Sequence, residues 1–217
     1  MLFRSLSYAQ WARSGFFQMV GVTIVNLSVL LAAVTFSHRQ GRGWTAVRLL
    51  SGVLIAESLV LLASAAWRMS LYVGAYGLSF KRLVTYWGMG MMALFFLAAL
   101  WKLLRTDRSF CRLAFPIALA GWVLLNCVPL DALVARDQVD RVLSGETAVL
   151  DVEYLLEDLS YDTLPQLARL DGSRSVYTQE GKTTLEALLT QRRSEARAEC
   201  SDWRAWNLSA WRASTDS

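Results

Sequence analysis

Acidic residues are nearly absent from the first 130 positions of this chain of 217 residues, where Glu57 and Asp107 stand against twelve Lys and Arg. From Asp131 onward the balance reverses, with sixteen acidic and ten basic residues, so the overall net charge of +4 describes neither part. Charge of either sign is scarce at 18% of the chain, against about 25% in soluble domains. There is one histidine, His38, and the three cysteines Cys111, Cys127 and Cys200 have no CxxC spacing. That excludes a zinc or iron–sulfur centre, and the odd count argues against a disulfide framework. GxxxxGK[ST], GxGxxG and HExxH strings are absent, and no nucleophile–base pair is visible. No catalytic residue, metal or cofactor is therefore assigned, and an enzyme reading has little to stand on.

What the chain has instead is long apolar runs. A bilayer core of about 30 Å needs roughly 20 apolar helical residues. Four stretches qualify, at residues 14–37, 47–68, 83–101 and 112–130. They lack the polar face of a soluble amphipathic helix and are too long and unalternating for membrane strands. Trp11, Trp44, Trp67, Tyr86, Trp87 and Trp101 fall near their ends, where aromatic rings favour the interface. Pro116 is expected in the first turn of the fourth. The run that follows the N-terminal stretch is too long for a signal-peptide core and is read as a retained helix. The basic excess lies in short loops between apolar runs, which makes the lipid bilayer the partner and excludes a nucleic-acid surface. The expected architecture is all-α: a transmembrane domain at 1–130 and a helical extramembrane tail at 131–217. Lys and Arg number seven on each side of the membrane, and the acid-rich start of the tail gives a lean to an external tail.

Glu57 is the sharpest polar feature, near the middle of the second run. A carboxylate at that depth is expensive. It reads either as a proton- or cation-handling group or as interhelical polar glue, with Thr23, Asn26 or Asn126 as partners. The second reading is favoured because only one acid is present, and it requires Glu57 to be buried. Gly52 with Ala56, Gly88 with Gly90, and Ala114 with Ala118 mark expected close helix contacts. Met89, Met91 and Met92 are read as packing rather than a soft-metal site. Residues 68–82 form an unusual link, read as an interfacial re-entry segment or as a surface for lipid headgroups or a partner. In it Tyr72 and Tyr76 share a face if helical, Gly77 ends the turn, and Arg82 closes a basic pair.

In the tail, residues 132–143 read as a short amphipathic helix ending near Gly145. Residues 151–159 place Val152, Leu155, Leu156 and Leu159 on one stripe. Asp162 is expected to cap a helix over 163–170, Asp171-Gly172-Ser173 to break it, and 183–212 to form one longer helix. Its QRRSEARAE stretch is expected to be solvated, as are the carboxylates Asp151, Glu153, Glu157 and Asp158. Trp203, Trp206 and Trp211 either anchor the chain end at the membrane or pack on the helices.

Several strings, in order and spacing, carry a family resemblance: YAQWARSGFF (8–17), LYVGAYGLSFKRL (71–83), the stretch from Asn126 through PLDALVARD with Asp131 and Arg136, LDVEYLLEDLSYDTLPQLARL (150–170) and WRAWNLS (203–209). They resemble the C-terminal part of bacterial multi-pass membrane proteins known as a domain of unknown function (the four-one-five-three and four-one-seven-three group). The family's string continues Ala-Arg-Tyr-Asn, whereas Asp137 and Gln138 follow Arg136 here. The resemblance implies a bacterial cytoplasmic (inner) membrane setting and a C-terminal half whose partner is another protein or a missing N-terminal half. It supplies no activity. Candidate functional residues are thus Glu57, Tyr72, Tyr76, Arg82, Asp131 and Arg136. An interaction, assembly or signalling-associated role is placed ahead of a transporter or channel component using Glu57.

Overall fold

The computed structural model describes residues 8–36, 42–105, 110–147, 150–178 and 181–215. The readings made for the extreme N-terminus, His38 and Asp107 fall outside these residues. Two compact units are present: residues 1–76 with 81–127, and residues 77–80 with 128–217.

The first unit consists of helices α1 (Tyr8–Phe36), α2 (Arg42–Tyr76), α3 (Phe80–Leu104) and α4 (Phe110–Cys127). Each is long and apolar enough to cross a membrane, with mean hydropathy of 2.2, 2.0, 1.8 and 1.6 in chain order. The chain is a membrane protein, and most of its span surface faces outward, as lipid-facing helices require. A common core gathers Leu30 and Val34 of α1, Ile55, Leu62 and Ala65 of α2, and Met89, Phe96, Ala99 and Leu103 of α3. A side-chain hydrogen bond joins α1 to α2: Asn26 Nδ2 donates to Ser58 Oγ at 3.0 Å, while Ser58 donates to the Leu54 carbonyl at 2.7 Å.

Three boundaries differ from expectation. No re-entry segment follows residue 68, because α2 runs unbroken to Tyr76. Its 35 residues, at about 1.5 Å each, span ~52 Å and outreach a hydrocarbon core of about 30 Å. Trp67 and Arg68 therefore lie within the helix. The fourth span stops at Cys127, since Pro129 lacks an N–H and starts a new helix. Because α4 begins at Phe110, Pro116 sits beyond the first turn, inside the helix. The close approach in this unit is at Gly121, where the Met91 thioether tip lies directly over the site a Cβ would occupy. Gly52, Gly88 and Gly90 have open space at theirs.

The second unit contains α5 (Leu130–Leu143), a π-turn at Tyr154–Asp158, a 3-10 turn at Tyr161–Thr163, α6 (Leu164–Leu167), strands β1 (Ser175–Thr178) and β2 (Gly181–Thr184), α7 (Leu185–Ser201) and α8 (Leu208–Thr215). The two strands pair antiparallel, with Ser175 opposite Thr184 and Thr178 opposite Gly181. Val134, Ala135, Val139, Leu155, Leu164, Leu167, Leu185, Leu189, Ala196 and Ala210 fill the core. The expected stripe of Val152, Leu155, Leu156 and Leu159 is buried, and Gly145 turns the chain after α5 with φ +79°.

The expected single helix over 183–212 is instead three elements. β2 ends at Thr184, whose hydroxyl accepts the Ala187 N–H at 3.4 Å and caps α7. α7 closes at Ser201, and the link through Asn207 precedes α8. Asp162 caps nothing: Ser160 precedes the 3-10 turn in extended conformation, and α6 is a single turn.

Candidate functional site

The six candidate residues fall into separate places. Glu57 lies near the middle of α2 and is exposed on the helix surface. It makes no hydrogen bond or ion pair with a described residue. This overturns the buried reading. The groups named as its partners are occupied elsewhere: Thr23 donates to the Met19 carbonyl at 2.7 Å, Asn26 bonds Ser58, and Asn126 donates to the Trp122 carbonyl at 2.7 Å. Its immediate neighbour Ser58 is fully buried on the α1-facing side. One residue along a helix turns a side chain by about 100°, so Glu57 points away from that contact.

Tyr72, Tyr76 and Arg82 do come together, within the first unit. The two rings lie 4.8 Å apart at a 43° tilt, the guanidinium carbon sits 4.4 Å above the Tyr72 ring, and Arg82 Nη1 donates to the Tyr76 carbonyl at 3.1 Å. Four-residue helical spacing brings the tyrosines together. Arg82 then caps the C-terminal carbonyl of α2 with a cation, where the helix dipole favours one.

In the second unit, Asp131 and Arg136 are both on α5. The Asp131 carboxylate accepts the Ser160 N–H at 3.1 Å. Arg136 pairs loosely with Asp140 at 3.7 Å on an exposed face, and Asp140 also takes Arg169 at 2.6 Å.

A further construction joins residues to which the sequence reading gave no common role. Gly77–Phe80, the link between α2 and α3, is an integral part of the second unit. Gly77 has φ +74°, a conformation open to glycine and strained for other residues. Beyond it, both peptide groups of Leu78 are held by consecutive residues of α5. Asp137 Oδ2 accepts the Leu78 N–H at 2.8 Å, and Gln138 Nε2 donates to the Leu78 carbonyl at 3.0 Å. The Tyr154 hydroxyl accepts the Phe80 N–H at 3.2 Å. Arg141 and Asp137 approach within 3.8 Å of where a Gly77 Cβ would stand. This is a main-chain clamp that is blind to the side chains of the link. The available signal was the Asp137-Gln138 pair, at which the chain departs from the pattern it resembles.

A second polar cluster ties the 3-10 turn to α7. The Tyr161 hydroxyl donates to Glu199 at 2.8 Å, and the Arg192 guanidinium lies 5.0 Å over the Tyr161 ring. Arg192 also donates to the Leu156 carbonyl and pairs with Glu195 at 2.8 Å. Burial and the Glu199 carboxylate push the Tyr161 phenol up to about 12, while the Arg192 hydrogen bond holds the Glu195 carboxyl below its usual range. Burial raises the Asp162 carboxyl, with Arg212 at 4.0 Å opposing. Part of the QRRSEARAE stretch is thus built into the fold rather than solvated.

Trp203, Trp206 and Trp211 are 81%, 52% and 48% exposed. They do not pack into the unit's core. No group of three His, Cys, Asp or Glu among the described residues could hold a metal ion.

Comparison with protein families matches residues 3–170 to the family described as "Domain of unknown function (DUF4153)". Comparison with curated proteins finds no match, and comparison with solved structures finds none.

Proposed function

The chain belongs to the DUF4153 family, and from that premise we propose that it is a membrane assembly or signalling-associated protein whose C-terminal unit is a docking module. The setting proposed for it is the bacterial cytoplasmic membrane. The observation that carries the reading is the clamp on Leu78. With four spans, chain order puts the 77–80 link and everything after α4 on one side of the bilayer. A soluble-type module that takes up the link between two membrane helices couples whatever binds the module to the ends of α2 and α3. Three outward tryptophans give the module an apolar surface on which a partner can seat.

Blue-native electrophoresis of the chain, gently extracted from its own membrane, tests the proposal. A band heavier than the single chain is expected, weakened in Asp137→Ala/Gln138→Ala. A single-chain band, together with cation or proton flux in proteoliposomes that a folded Glu57→Gln abolishes, would overturn it. That outcome would favour the alternative, a transporter or channel component with Glu57 in its pathway.

A further inference from the structure

We infer that residues 203–215 are a membrane-insertion segment: Trp203, Trp206 and Trp211 enter the interface of the bilayer that α1–α4 span, and Arg204 and Arg212 meet the phosphates of anionic phospholipids there. The inference rests on the docking-module reading above and names what the module's tryptophan surface docks on.

Every residue from Ser201 to Leu208 is exposed, and two of them are tryptophans. Single exposed apolar residues are ordinary on a soluble surface, but three tryptophans within nine residues mark an interaction site. Their display is built into the fold. Asp202 Oδ1 accepts the Arg204 N–H at 3.0 Å, and the Asp202 carbonyl accepts the Trp206 N–H at 3.0 Å. Asn207 Oδ1 accepts the Ala210 N–H at 2.7 Å at the start of α8. Ala210 and Ala213 are buried and seat α8 on the unit, while Trp211 on the same helix stays exposed. A segment held in this way loses little further freedom on docking.

Exposure alone does not choose the occupant. Composition and connection do. Tryptophan and arginine together suit a membrane interface, where the amphipathic ring sits at headgroup level and the cation meets phosphate. The Arg204 guanidinium lies 5.4 Å over the Trp203 ring, so the two stand side by side. Trp203 to Thr215 holds three tryptophans, two arginines and no acidic residue, whereas residues 131–202 hold fifteen acidic residues against eight Lys and Arg. The neighbouring carboxylates are engaged: Asp202 in the turn, Glu199 by Tyr161 and Asn207, and Asp162 opposite Arg212 at 4.0 Å. The connection to the membrane is direct. The module takes in residues 77–80 and resumes at Val128, so it follows the ends of α2, α3 and α4 without a spacer. That presents the membrane surface to it at a high effective concentration, an advantage no soluble protein has.

The test puts a spin label on the full chain at Ala205→Cys, which keeps all three tryptophans, in a background of Cys111→Ala, Cys127→Ala and Cys200→Ala. A label at Ser194→Cys, exposed on α7, is the control. The chain is reconstituted into phosphatidylcholine vesicles with or without phosphatidylglycerol, and relaxation of the label by oxygen is compared with relaxation by a water-soluble nickel chelate. With phosphatidylglycerol present, the Ala205 label is expected to meet oxygen and to lose at least tenfold of its contact with the chelate, while the Ser194 label stays open to it. Trp203→Ser/Trp206→Ser/Trp211→Ser should return the Ala205 label to water, with the Leu78 amide exchanging as before to show the unit intact. Arg204→Gln should weaken the preference for phosphatidylglycerol about fivefold, the contribution of one cation near an anionic surface. An Ala205 label open to the chelate in both vesicles, or shielded from chelate and oxygen alike as contact with protein or a second copy would shield it, overturns the inference. A heavy native band alongside either of those results leaves the proposed function standing. An inserted label with only a single-chain band supports the insertion and removes the assembly role.

Discussion

At the residue scale, single positions separate fold from function. Gly77 is fixed by geometry: with φ +74°, a Cβ there costs about 1–2 kcal/mol. Gly77→Ala is expected to lower the unfolding midpoint of the second unit, read by chemical denaturation. Gly21→Ala, in open space on α1, should change nothing or stabilise slightly. Thr184 is a second such position. Its cap to Ala187 is long at 3.4 Å, so Thr184→Ala should cost about 0.5–1 kcal/mol, the low end for an N-cap. Glu57 could be picked out in the sequence by rarity alone. Its orientation could not, because a shift of one residue on a helix decides between the α1 contact and the outside.

At the element scale, the clamp is the feature with the clearest readout. Asp137→Ala leaves the Leu78 N–H without its acceptor, and a part-buried unpaired donor costs about 1–3 kcal/mol. Hydrogen exchange of the Leu78 amide should speed by ten- to hundredfold. Gln138→Ala removes only a donor from a carbonyl that keeps a second lone pair, and should have a smaller effect on the same amide. Unchanged exchange in both variants would show that the link is not held this way. Among the elements, α1 to α4 were legible because apolar runs of this length have few alternatives. The hairpin of β1 and β2 was not, since two strands of four residues, separated in sequence only by Gln179 and Glu180, give little periodicity. Helix α7 was read as running on to 212 because Asp202–Asn207 contains no proline or glycine to signal its end.

At the scale of the whole molecule, the second unit should carry an alkaline limit on stability. Tyr161 titrates near 10.0 when unfolded and about 12 when folded. Its folded state prefers the proton, so its contribution is complete below the unfolded value and is lost as pH rises through the folded one. Unfolding of the second unit should therefore become easier across that alkaline window, and Tyr161→Phe should remove much of the slope. Glu195 acts in the opposite direction: its lowered value gives stability above its ordinary range near 4.5 that is lost as pH falls. Denaturation of the full chain in detergent across both windows, with Tyr161→Phe alongside, measures this. A flat alkaline profile in the unsubstituted chain would sink the account of the Tyr161–Glu199–Arg192 cluster.

The sequence by itself determined that the chain is a membrane protein with four apolar helices and a compositionally distinct tail. Hydrophobic length and the placement of charge are local properties that need no partner to be read. It also determined the pairing of Tyr72 with Tyr76 and the breaks at Gly77 and Gly145, because helical spacing and the conformational freedom of glycine are local too. Only the tertiary structure decided that Glu57 faces outward, that Asp137 and Gln138 hold Leu78 across some sixty residues of chain, and that Arg192 is built into the core rim. Those facts depend on which faces of separated elements meet. That is settled by packing, and by the requirement that each buried peptide group find a partner.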